Sequence, residues 1–364
     1  MSQFAEGLLE DRLSASALTM RQRSLLVPPF VEGTMLRLTI VASAVLGFCM
    51  ATLVGAEAEA AERVRVGLLE YGTVSWEFDV IERHGLDEAA GLSIETLNLA
   101  SNQATTVALQ AGEVDVIVSD WLWVSRQRAN GRTYTFVPFS SSVGAVMVPG
   151  VSDIQDFGDL RGRKIAIAGG PLDKGWLLLR GYAEREFGFD LAAETEQVFG
   201  APPLLTEVAR RGEVDAILNY WHYGARLEAE GFRRLVDSNE AGIALGAEGA
   251  ISAIGYVFDE QWANDNLETM TAFFETTEKA KSILATSDEE WDDLRPLTGA
   301  PDDATLIVLR DRFRDGIPDR PLDAELADTQ LIYRILAEIG GRELVGPAEE
   351  MAPGTFWTAL VDGS

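Results

Sequence analysis

The sequence predicts an α/β protein of two similar lobes, each a mostly parallel sheet flanked by helices. Three observations predict this class. The stretch at residues 112–121, GEVDVIVSDW, returns as GEVDAILNYW at residues 212–221, with six of ten positions identical. Short β-branched apolar runs alternate with segments of helical periodicity. The chain has 364 residues, of which 47% are hydrophobic, enough to form the cores of two medium domains.

The first copy of the repeat predicts the order β-α-β-α-β. Apolar β-branched text predicts strands at residues 64–69, 93–99 and 114–119. Helical spacing predicts helices at residues 76–91 and 104–112, and both end at a glycine. Strands that alternate with helices in this way indicate a parallel sheet covered by helices.

The second copy predicts the same order. Its strands are expected at residues 163–169, 193–200 and 214–219, and its helices at residues 172–188 and 202–213. Two copies are too few for a solenoid, which needs at least three repeats. The sequence therefore predicts two lobes of similar construction.

The match between the copies extends beyond the ten-residue motif. Trp76 and Trp176 stand one hundred residues apart, as do Gly131 and Gly231. Several matches at one spacing indicate a duplicated unit rather than a chance resemblance between two short segments. Each copy is also followed by an apolar, strand-like piece that can pass from one lobe to the other. These pieces are VGAVMV, which begins at residue 143, and AISAIGYVF, which begins at residue 250.

Residues 264–340 read as helices and are expected to pack back on the first lobe. That lobe would then be discontinuous in sequence. The predicted boundaries are residues 61–146 and 253–364 for lobe I, and residues 147–252 for lobe II.

Charge and composition exclude several classes of function. The chain has 58 Asp and Glu against 30 Lys and Arg, a net charge of -28, so it repels nucleic acids and anionic lipid head groups. The acidic excess is also what a soluble protein in a salty medium would carry. The sequence has no Cys/His metal cluster, no phosphate-binding loop and no nucleophile elbow. No nucleic-acid partner, metal or cofactor is expected.

Residues 35–60 are predicted to be a secretory signal peptide. Arg37 precedes an apolar run that contains Cys49, the only cysteine, and small residues alternate from Ala56 onward. A membrane anchor is the competing interpretation, but the run is short and no basic cluster follows it. Residues 1–34 are an uncertain extension, because signal peptides begin at the chain terminus. The protein is expected to be exported.

The text LQAGEVDV at residues 109–116, followed by DLRGRKIAI at residues 159–167, resembles the periplasmic solute-binding proteins of ABC importers. The similarity is greatest to the nitrate/taurine/sulfonate (NitT/TauT) family. It implies a type II periplasmic-binding-protein-like fold, with two lobes joined by crossing strands that close on a ligand by a hinge. It also implies a periplasmic monomer that delivers a small molecule to an ABC permease in the inner membrane, without chemistry on the ligand.

Ligands of open α/β sheets bind beyond the carboxyl ends of the strands. This rule selects the loops after the strands that begin each copy and after the two GEVD strands. The first serine-rich crossing segment adds one further residue. The candidate ligand-binding residues are Tyr71, Thr73, Trp76, Asp120, Trp121, Ser141, Asp173, Lys174, Trp176, Asn219, Tyr220, Trp221 and His222.

The aromatic residues of these loops suit planar ligands by stacking and cations by attraction to the ring quadrupole. Trp121 and Trp221 either form walls of the cleft or anchor the core of each copy. Asp120 is expected to pair with an amine or to accept a hydrogen bond from a ring N–H, unless it is only a solvated loop carboxylate. Asn219 is suited to an amide-like or pyrimidine edge. A planar-aromatic or amine-bearing organic molecule is therefore the expected ligand.

The start of the second lobe allows two interpretations. The turn at Gly169 and Gly170, together with Lys174, is suited to binding an anion. Alternatively, Asp173 simply caps the helix that follows. His222 lies at a predicted strand tip, where it either contacts the ligand or packs.

Two other functions remain open from the sequence. A sensor or accessory binder would use the same cleft and pass its signal to another exported protein. An enzyme of the same fold is the other alternative, and Asp120 or Glu70 would then be the group that acts on the ligand. A binding protein without enzymatic activity is expected.

Overall fold

The computed structural model describes residues 61–359. The uncertain extension at residues 1–34 and the signal peptide predicted at residues 35–60, with Cys49, lie outside the described residues. Within the described part of the chain, no helix is both long and apolar enough to cross a membrane.

The described chain contains ten strands in two sheets. They are β1 (Glu62–Leu69), β2 (Leu92–Leu99), β3 (Val116–Asp120), β4 (Tyr134–Ser140), β5 (Gly144–Val148), β6 (Lys164–Ala168), β7 (Glu196–Gly200), β8 (Ala216–Tyr220), β9 (Arg233–Asp237) and β10 (Ile254–Asp259).

Thirteen α-helices of the described chain surround the sheets. They are α1 (Val74–His84), α2 (Leu86–Ala89), α3 (Asn102–Ala111), α4 (Trp121–Ala129), α5 (Lys174–Tyr182), α6 (Pro202–Arg210), α7 (Trp221–Ala229), α8 (Ser238–Ala244), α9 (Glu260–Asp265), α10 (Leu267–Thr286), α11 (Glu289–Thr298), α12 (Asp303–Asp315) and α13 (Leu322–Val345).

The two sheets have the same topology. The first has the order β2-β1-β3-β10-β4, and the second has the order β7-β6-β8-β5-β9. In each sheet three neighbouring strands are parallel, and one antiparallel strand lies between the third parallel strand and the edge strand. The helices α4 and α7 are offset by one hundred residues, as are α3 and α6. The duplication and the α/β class predicted from the sequence are confirmed.

The antiparallel strands β5 and β10 are the two crossing strands. β5 follows the last strand of the first copy but pairs with β8 and β9 of the second sheet. β10 follows the second copy but pairs with β3 and β4 of the first sheet. Both crossing segments lie where the sequence predicted them. The exact lobe boundaries remain a prediction, and β5 lies entirely in the second sheet.

The GEVD motif has the same structural role in both copies. Its two glycines end α3 or stand just after α6, with φ of 71° and 67°, a conformation that side chains with Cβ rarely adopt. The carboxylate of Asp115 accepts the backbone N–H of Arg65 at 2.9 Å, and Asp215 accepts that of Lys164 at 2.8 Å. The motif therefore fixes each GEVD strand against the first strand of its own sheet.

The C-terminal helices do more than cover the first lobe. α10 packs on α1, as expected, but α12 packs against α7 of the second copy and α13 against α5. The bidentate ion pair between Arg312 and Glu228 joins α12 to α7, with N–O distances of 3.0 and 2.5 Å. The expectation that residues 264–340 pack on the first lobe is therefore incomplete.

Two local differences from the sequence prediction have clear causes. The helix predicted at residues 76–91 is interrupted at Gly85, whose φ of 59° ends α1. The edge strands β4 and β9 were not predicted, because Pro138 interrupts the apolar run of β4 and β9 begins with two charged residues, Arg233 and Arg234. Pro138 in β4 is tolerated there, since an edge strand does not need every N–H for pairing.

Replacing Gly255 by Ala is expected to destabilise the protein by about 2 to 3 kcal/mol, as overpacking does. A Cβ at Gly255 would overlap the carbonyl oxygen of Val137 and the ring of Phe136. Gly224→Ala is the control, because its Cβ would meet only the Met147 side chain at 3.8 Å, an ordinary contact. Denaturant unfolding measures both, and equal stability of the two variants would contradict the prediction.

Candidate functional site

The carboxyl ends of the two sheets face each other across a closed cleft. Lys174, the first residue of α5, extends its ammonium to Asp120, the last residue of β3. The distance from Lys174 Nζ to Asp120 Oδ2 is 2.9 Å, and about a quarter of each side chain is exposed. This ion pair connects the two lobes at the strand tips that the sequence selected.

The charge state of Lys174 depends on the carboxylates next to it. Burial works against the charge of Lys174, but Asp120 and Asp173 outweigh it and raise the pKa of Lys174 above its usual value. Burial raises the pKa of Asp173, and Lys174 opposes that shift. Lys174 is therefore held in its charged form.

Three helices that begin at the cleft are capped by carboxylates. Asp120, Asp173 and Asp237 accept a backbone N–H from the first turns of α4, α5 and α8, at 2.8, 3.1 and 2.8 Å. The turn at Gly169 and Gly170 had two interpretations, an anion site or a helix cap. This geometry shows the helix cap. An anion approaching these helix starts would meet a negative charge instead of free N–H groups.

The accessible aromatic rings of the cleft belong to tyrosines. Tyr71 is 51% exposed, and Tyr220 and Tyr223 are partly buried. Their hydroxyl groups make no hydrogen bond with the described residues. Burial, followed by Asp173, raises the pKa of Tyr220, and Tyr71 and Tyr223 contribute to the same shift. Tyr220 is therefore within electrostatic range of the other two tyrosines, and all three hydroxyl groups are able to bind a ligand.

The four tryptophans among the candidates pack in the interior of this closed form. Trp76 and Trp221 meet across the lobes in an edge-to-face contact, with ring centroids 5.8 Å apart. Trp176 packs edge-to-face on Phe199, with ring centroids 6.3 Å apart. Trp121 is buried beside the ion pair. All four are less than 9% exposed, so they contact ligand only if the cleft opens.

A small cavity of about 30 Å³ lies behind the ion pair. The indole N–H of Trp121, on its wall, has no hydrogen-bond partner among the described residues. A cavity of this size holds about one water molecule. Its lining residues are Trp121, Val143, Lys174, Gly175, Leu178, Ser238, Asn239, Gly242, Gly249, Ile251, Ala253, Ile332 and Leu336.

A second cavity of about 130 Å³ lies next to the first crossing segment. It is more polar, because Arg234 and Arg312 face it together with the carboxylates of Asp237 and Asp315. Its lining residues are Ser141, Ser142, Val143, Gly144, Ala145, Trp221, Arg234, Asp237, Ser238, Asn239, Arg312 and Asp315.

Three further candidate residues are buried and hold the loops in place. Thr73 is the residue before α1. Ser141 donates its backbone N–H to the carbonyl of Gly316 at 2.9 Å. The Asn219 side chain donates to Thr206 Oγ1 at 2.9 Å and accepts the backbone N–H of its neighbour at 2.8 Å. The amide of Asn219 is therefore already engaged within the protein.

His222 is enclosed and neutral. Burial, helped by the positive charge of Arg226, lowers the pKa of His222 to about 3. Its Nε2 has no hydrogen-bond partner among the described residues. His222 is thus an uncharged group at the start of α7, in contact with the ring of Tyr223, whose centroid lies 4.4 Å away.

Sequence reasoning missed Ser238 and Asn239, which line both cavities. They belong to the first turn of α8, a helix that was not predicted. The signal was present in the text DSNE, because Asp237 and Glu240 form a reciprocal capping box. Without a strong apolar period after it, this short helix was not recognised.

A buried carboxyl group near the cleft titrates close to neutrality. Glu77, in α1, is fully buried, accepts a hydrogen bond from the Tyr256 hydroxyl, and lies 4.0 Å from the Lys281 ammonium. Burial raises the pKa of Glu77 to about 7, against the opposing effect of Lys281. A group sealed from solvent in this way has no access to a ligand, so its perturbed pKa is structural.

Metal ligands do not gather in the part of the chain that the structure describes: no group of three or more His, Cys, Asp or Glu side chains is placed to hold an ion. The candidate cleft therefore offers aromatic rings, hydroxyl groups and one cross-lobe ion pair. These groups are suited to binding a small molecule reversibly.

Comparison with known families identifies the fold's relatives. The family model described as NMT1/THI5 like matches residues 80–290, more than half of the 364 residues. The chain belongs to the NMT1/THI5-like family. No curated protein matches the sequence.

Several solved structures similar to this family member are described as ABC-importer proteins. The aliphatic sulphonate binding protein SsuA of Escherichia coli is 18% identical, with a TM-score of 0.64 over 81% of this chain and 92% of that chain. An ABC transporter protein from Parabacteroides distasonis is 12% identical, with a TM-score of 0.62 over 81% and 98%.

A third similar structure is the alkanesulfonate-binding protein SsuA of Xanthomonas axonopodis pv. citri, bound to MOPS. It is 16% identical, with a TM-score of 0.59 over 82% of this chain and 99% of that chain. The predicted two-lobed periplasmic-binding-protein fold and the resemblance to the nitrate/taurine/sulfonate group are confirmed. At these identities the neighbours establish the fold of this NMT1/THI5-like protein.

The buried carboxyl of Glu77 predicts a specific pH dependence of stability. Its folded pKa of about 7 exceeds the ordinary value of 4.5, so its contribution is complete below pH 4.5 and is lost as pH rises through 7. Relative to Glu77→Gln, the wild type should lose about 3 kcal/mol of unfolding free energy over that range. Glu278→Gln, at an exposed position beside Lys281, is the control. A pH-independent difference between wild type and Glu77→Gln would contradict the assignment.

Proposed function

We propose that this protein is a periplasmic solute-binding protein that captures a small organic molecule between its lobes and delivers it to an ABC permease in the inner membrane. One observation carries the proposal: the strand ends of the two duplicated units face each other, and the ion pair between Lys174 and Asp120 joins them. Membership in the NMT1/THI5-like family and the similarity to importer components support it.

The ligand class that we propose is a planar-aromatic or amine-bearing molecule. The rings of Tyr71, Tyr220 and Tyr223 provide stacking surfaces and hydroxyl groups without other partners among the described residues. The carboxylates of Asp120 and Asp173 suit an amine. The sulfonates named for two of the similar structures are a different class, and the carboxylate-capped helix starts disfavour them here.

The candidate residues divide into two groups in this proposal. Tyr71, Asp120 and Tyr220 contact the ligand directly, and Trp121 offers its unpartnered N–H when the cleft opens. Lys174 belongs to the site as the partner of Asp120 across the lobes. The remaining candidates shape the loops that carry these contacts. They are Thr73, Trp76, Ser141, Asp173, Trp176, Asn219, Trp221 and His222.

When the cleft opens, the lobes would rotate about the two crossing segments. Both segments are held by residues 312–328 at the end of α12 and the start of α13. The carbonyl of Gly316 accepts the N–H of Ser141, and Asp328 accepts the N–H groups of Glu248 and Gly249 at 3.0 and 3.2 Å. A hinge at these segments would move the lobes as rigid bodies, and the hydrogen bonds to Gly316 and Asp328 set where the backbone can rotate.

The remaining parts of the proposal are location and partners. An exported monomer would carry its ligand from the periplasm to the permease, which distinguishes open from closed lobes by their shape. The protein would leave the ligand chemically unchanged, and the full burial of Glu77, whose pKa is raised to about 7, keeps that carboxyl group away from the ligand.

A ligand panel with two readouts tests this function. Pyrimidines, flavin precursors, quaternary amines, taurine, alkanesulfonates and nitrate are each added to the full mature chain. A ligand that binds only the folded protein raises the melting temperature with concentration. It should also change tryptophan emission, because Trp76 and Trp221 touch across the lobes. Failure of every compound to shift the melting temperature would contradict the proposal.

Trp221→Phe should remove roughly half or more of the ligand-induced change in emission while keeping the shift in melting temperature, because lobe movement alters the surroundings of this indole. Trp262→Phe, in α9 on the first lobe, is the matched control and should retain the emission change. Equal loss in both variants would contradict the assignment of Trp221 to the moving interface.

A further inference from the structure

We propose that Asp120 is the carboxylate that binds a positively charged amine of the ligand, and that the Lys174 ammonium, which pairs with the same carboxylate oxygen across the lobes, is a tethered competitor for it. The proposal rests on the solute-binding function above and narrows its ligand class to cations. It also gives the cross-lobe ion pair a role, because a bound amine and Lys174 exclude each other at Asp120.

The geometry of Asp120 suits a fixed binding carboxylate. One oxygen, Oδ1, accepts the backbone N–H of Trp123 at 2.8 Å, which sets the orientation of the group. The other oxygen, Oδ2, accepts from Lys174 Nζ at 2.9 Å. Lys174 belongs to the second lobe and Asp120 to the first. Opening of the lobes therefore withdraws the ammonium and leaves Oδ2 facing the cleft.

The charges around the cleft are mixed, whereas the charge of the whole chain favours a cation. The loops at residues 70–76, 120–123, 169–176 and 219–223 contain three carboxylates and one lysine. Asp120 pairs with Lys174, and Asp173 caps α5 with a pKa raised by burial, while Arg226 adds a positive charge and donates to the carbonyl groups of His222 and Thr298. The net charge of -28 attracts a cation to the protein over long range.

The tyrosines supply the second element of a cation site. An ammonium group is attracted to the face of an aromatic ring, and the attraction strengthens where water is excluded. Tyr220 lies close enough to Lys174 to contribute to the raised pKa of its ammonium. Tyr71 and Tyr223 influence Tyr220 in turn. Among the described residues the Lys174 ammonium lies over no aromatic ring, so a contact between the ligand cation and these tyrosines is itself part of the proposal.

Substitutions of Lys174 and Asp120 are expected to change the affinity for cations and the affinity for anions in opposite directions. The direction of each change tests the proposal. Lys174→Met removes the competitor but keeps the length of the side chain, so it should strengthen the binding of a cation about tenfold and weaken that of an anion. Asp120→Asn should weaken cation binding about tenfold or more. If Lys174 instead binds an anionic ligand, both signs reverse.

Probes of matched skeleton separate charge from shape. Choline, 3,3-dimethylbutan-1-ol and 2-hydroxyethanesulfonate share a hydroxyethyl group and differ in a cationic, neutral or anionic head. Benzyltrimethylammonium and phenylmethanesulfonate form an aromatic pair. Dissociation constants are measured by calorimetry and melting shift up to about 10 mM, where weak binding is still detectable. Lys164→Met is the control, because Lys164 pairs with Glu196 on the same lobe, at 3.2 Å, away from the cleft.

The expected result is that a cation binds Lys174→Met more tightly than it binds wild type or Lys164→Met, while its neutral or anionic partner does not. Loss of cation binding in Lys174→Met, or a change of the same sign for all heads, overturns the proposal. Binding of anions or neutral molecules alone also overturns it but leaves the solute-binding function standing. Absence of binding by every probe, and by the wider panel, would overturn both.

Discussion

Each sheet of this protein depends on one antiparallel strand that reaches it from the other lobe. β10 lies between β3 and β4, and β5 lies between β8 and β9, so without them each sheet would lose its edge strand as well. One strand passes from the first lobe to the second, and the other passes back. Together they fix the strand ends of one lobe opposite those of the other. The cleft, its ion pair and its aromatic rings all follow from this exchange.

The duplicated scaffold separates structure from recognition. Positions that are identical in the two copies, such as the aspartates at 115 and 215, hold strands together. Positions that face the cleft differ: Asp120 corresponds to Tyr220, and Trp123 to Tyr223. The repeat thus sets up two equivalent platforms, and the differences at the ends of β3 and β8 place a carboxylate on one and phenol groups on the other.

Much of this arrangement could be predicted from the sequence. Apolar or alternating patterns located the six parallel strands and the two crossing strands. β4 was missed although most of it is buried, because Pro138 interrupts its apolar run, and β9 was missed because it begins with two arginines. The sequence also could not predict whether Trp121 and Trp221 are buried or exposed, because a tryptophan at a strand end suits both a core and a cleft.

The ion pair itself had no signature in the sequence. Lys174 and Asp120 are separated by 54 positions and belong to different lobes. Each was identified as a candidate from its loop, yet their contact depends on how far the lobes close. Helix starts at the cleft were ambiguous for the same reason: an aspartate before a helix is both a cap and a carboxylate, and only the tertiary structure shows which neighbours it meets.

The exchange of strands also sets the order in which the lobes can mature. All five strands of the second sheet lie within residues 144–237, so that sheet needs nothing synthesised later. The first sheet is assembled in part by residues 62–140, but β4 has no neighbour until residues 254–259 arrive between it and β3. Until then β3 and β4 present open edges that invite misplaced pairing. The first sheet, although its strands come first in the sequence, is therefore completed last. Its apolar strands stay exposed until β10 has been synthesised.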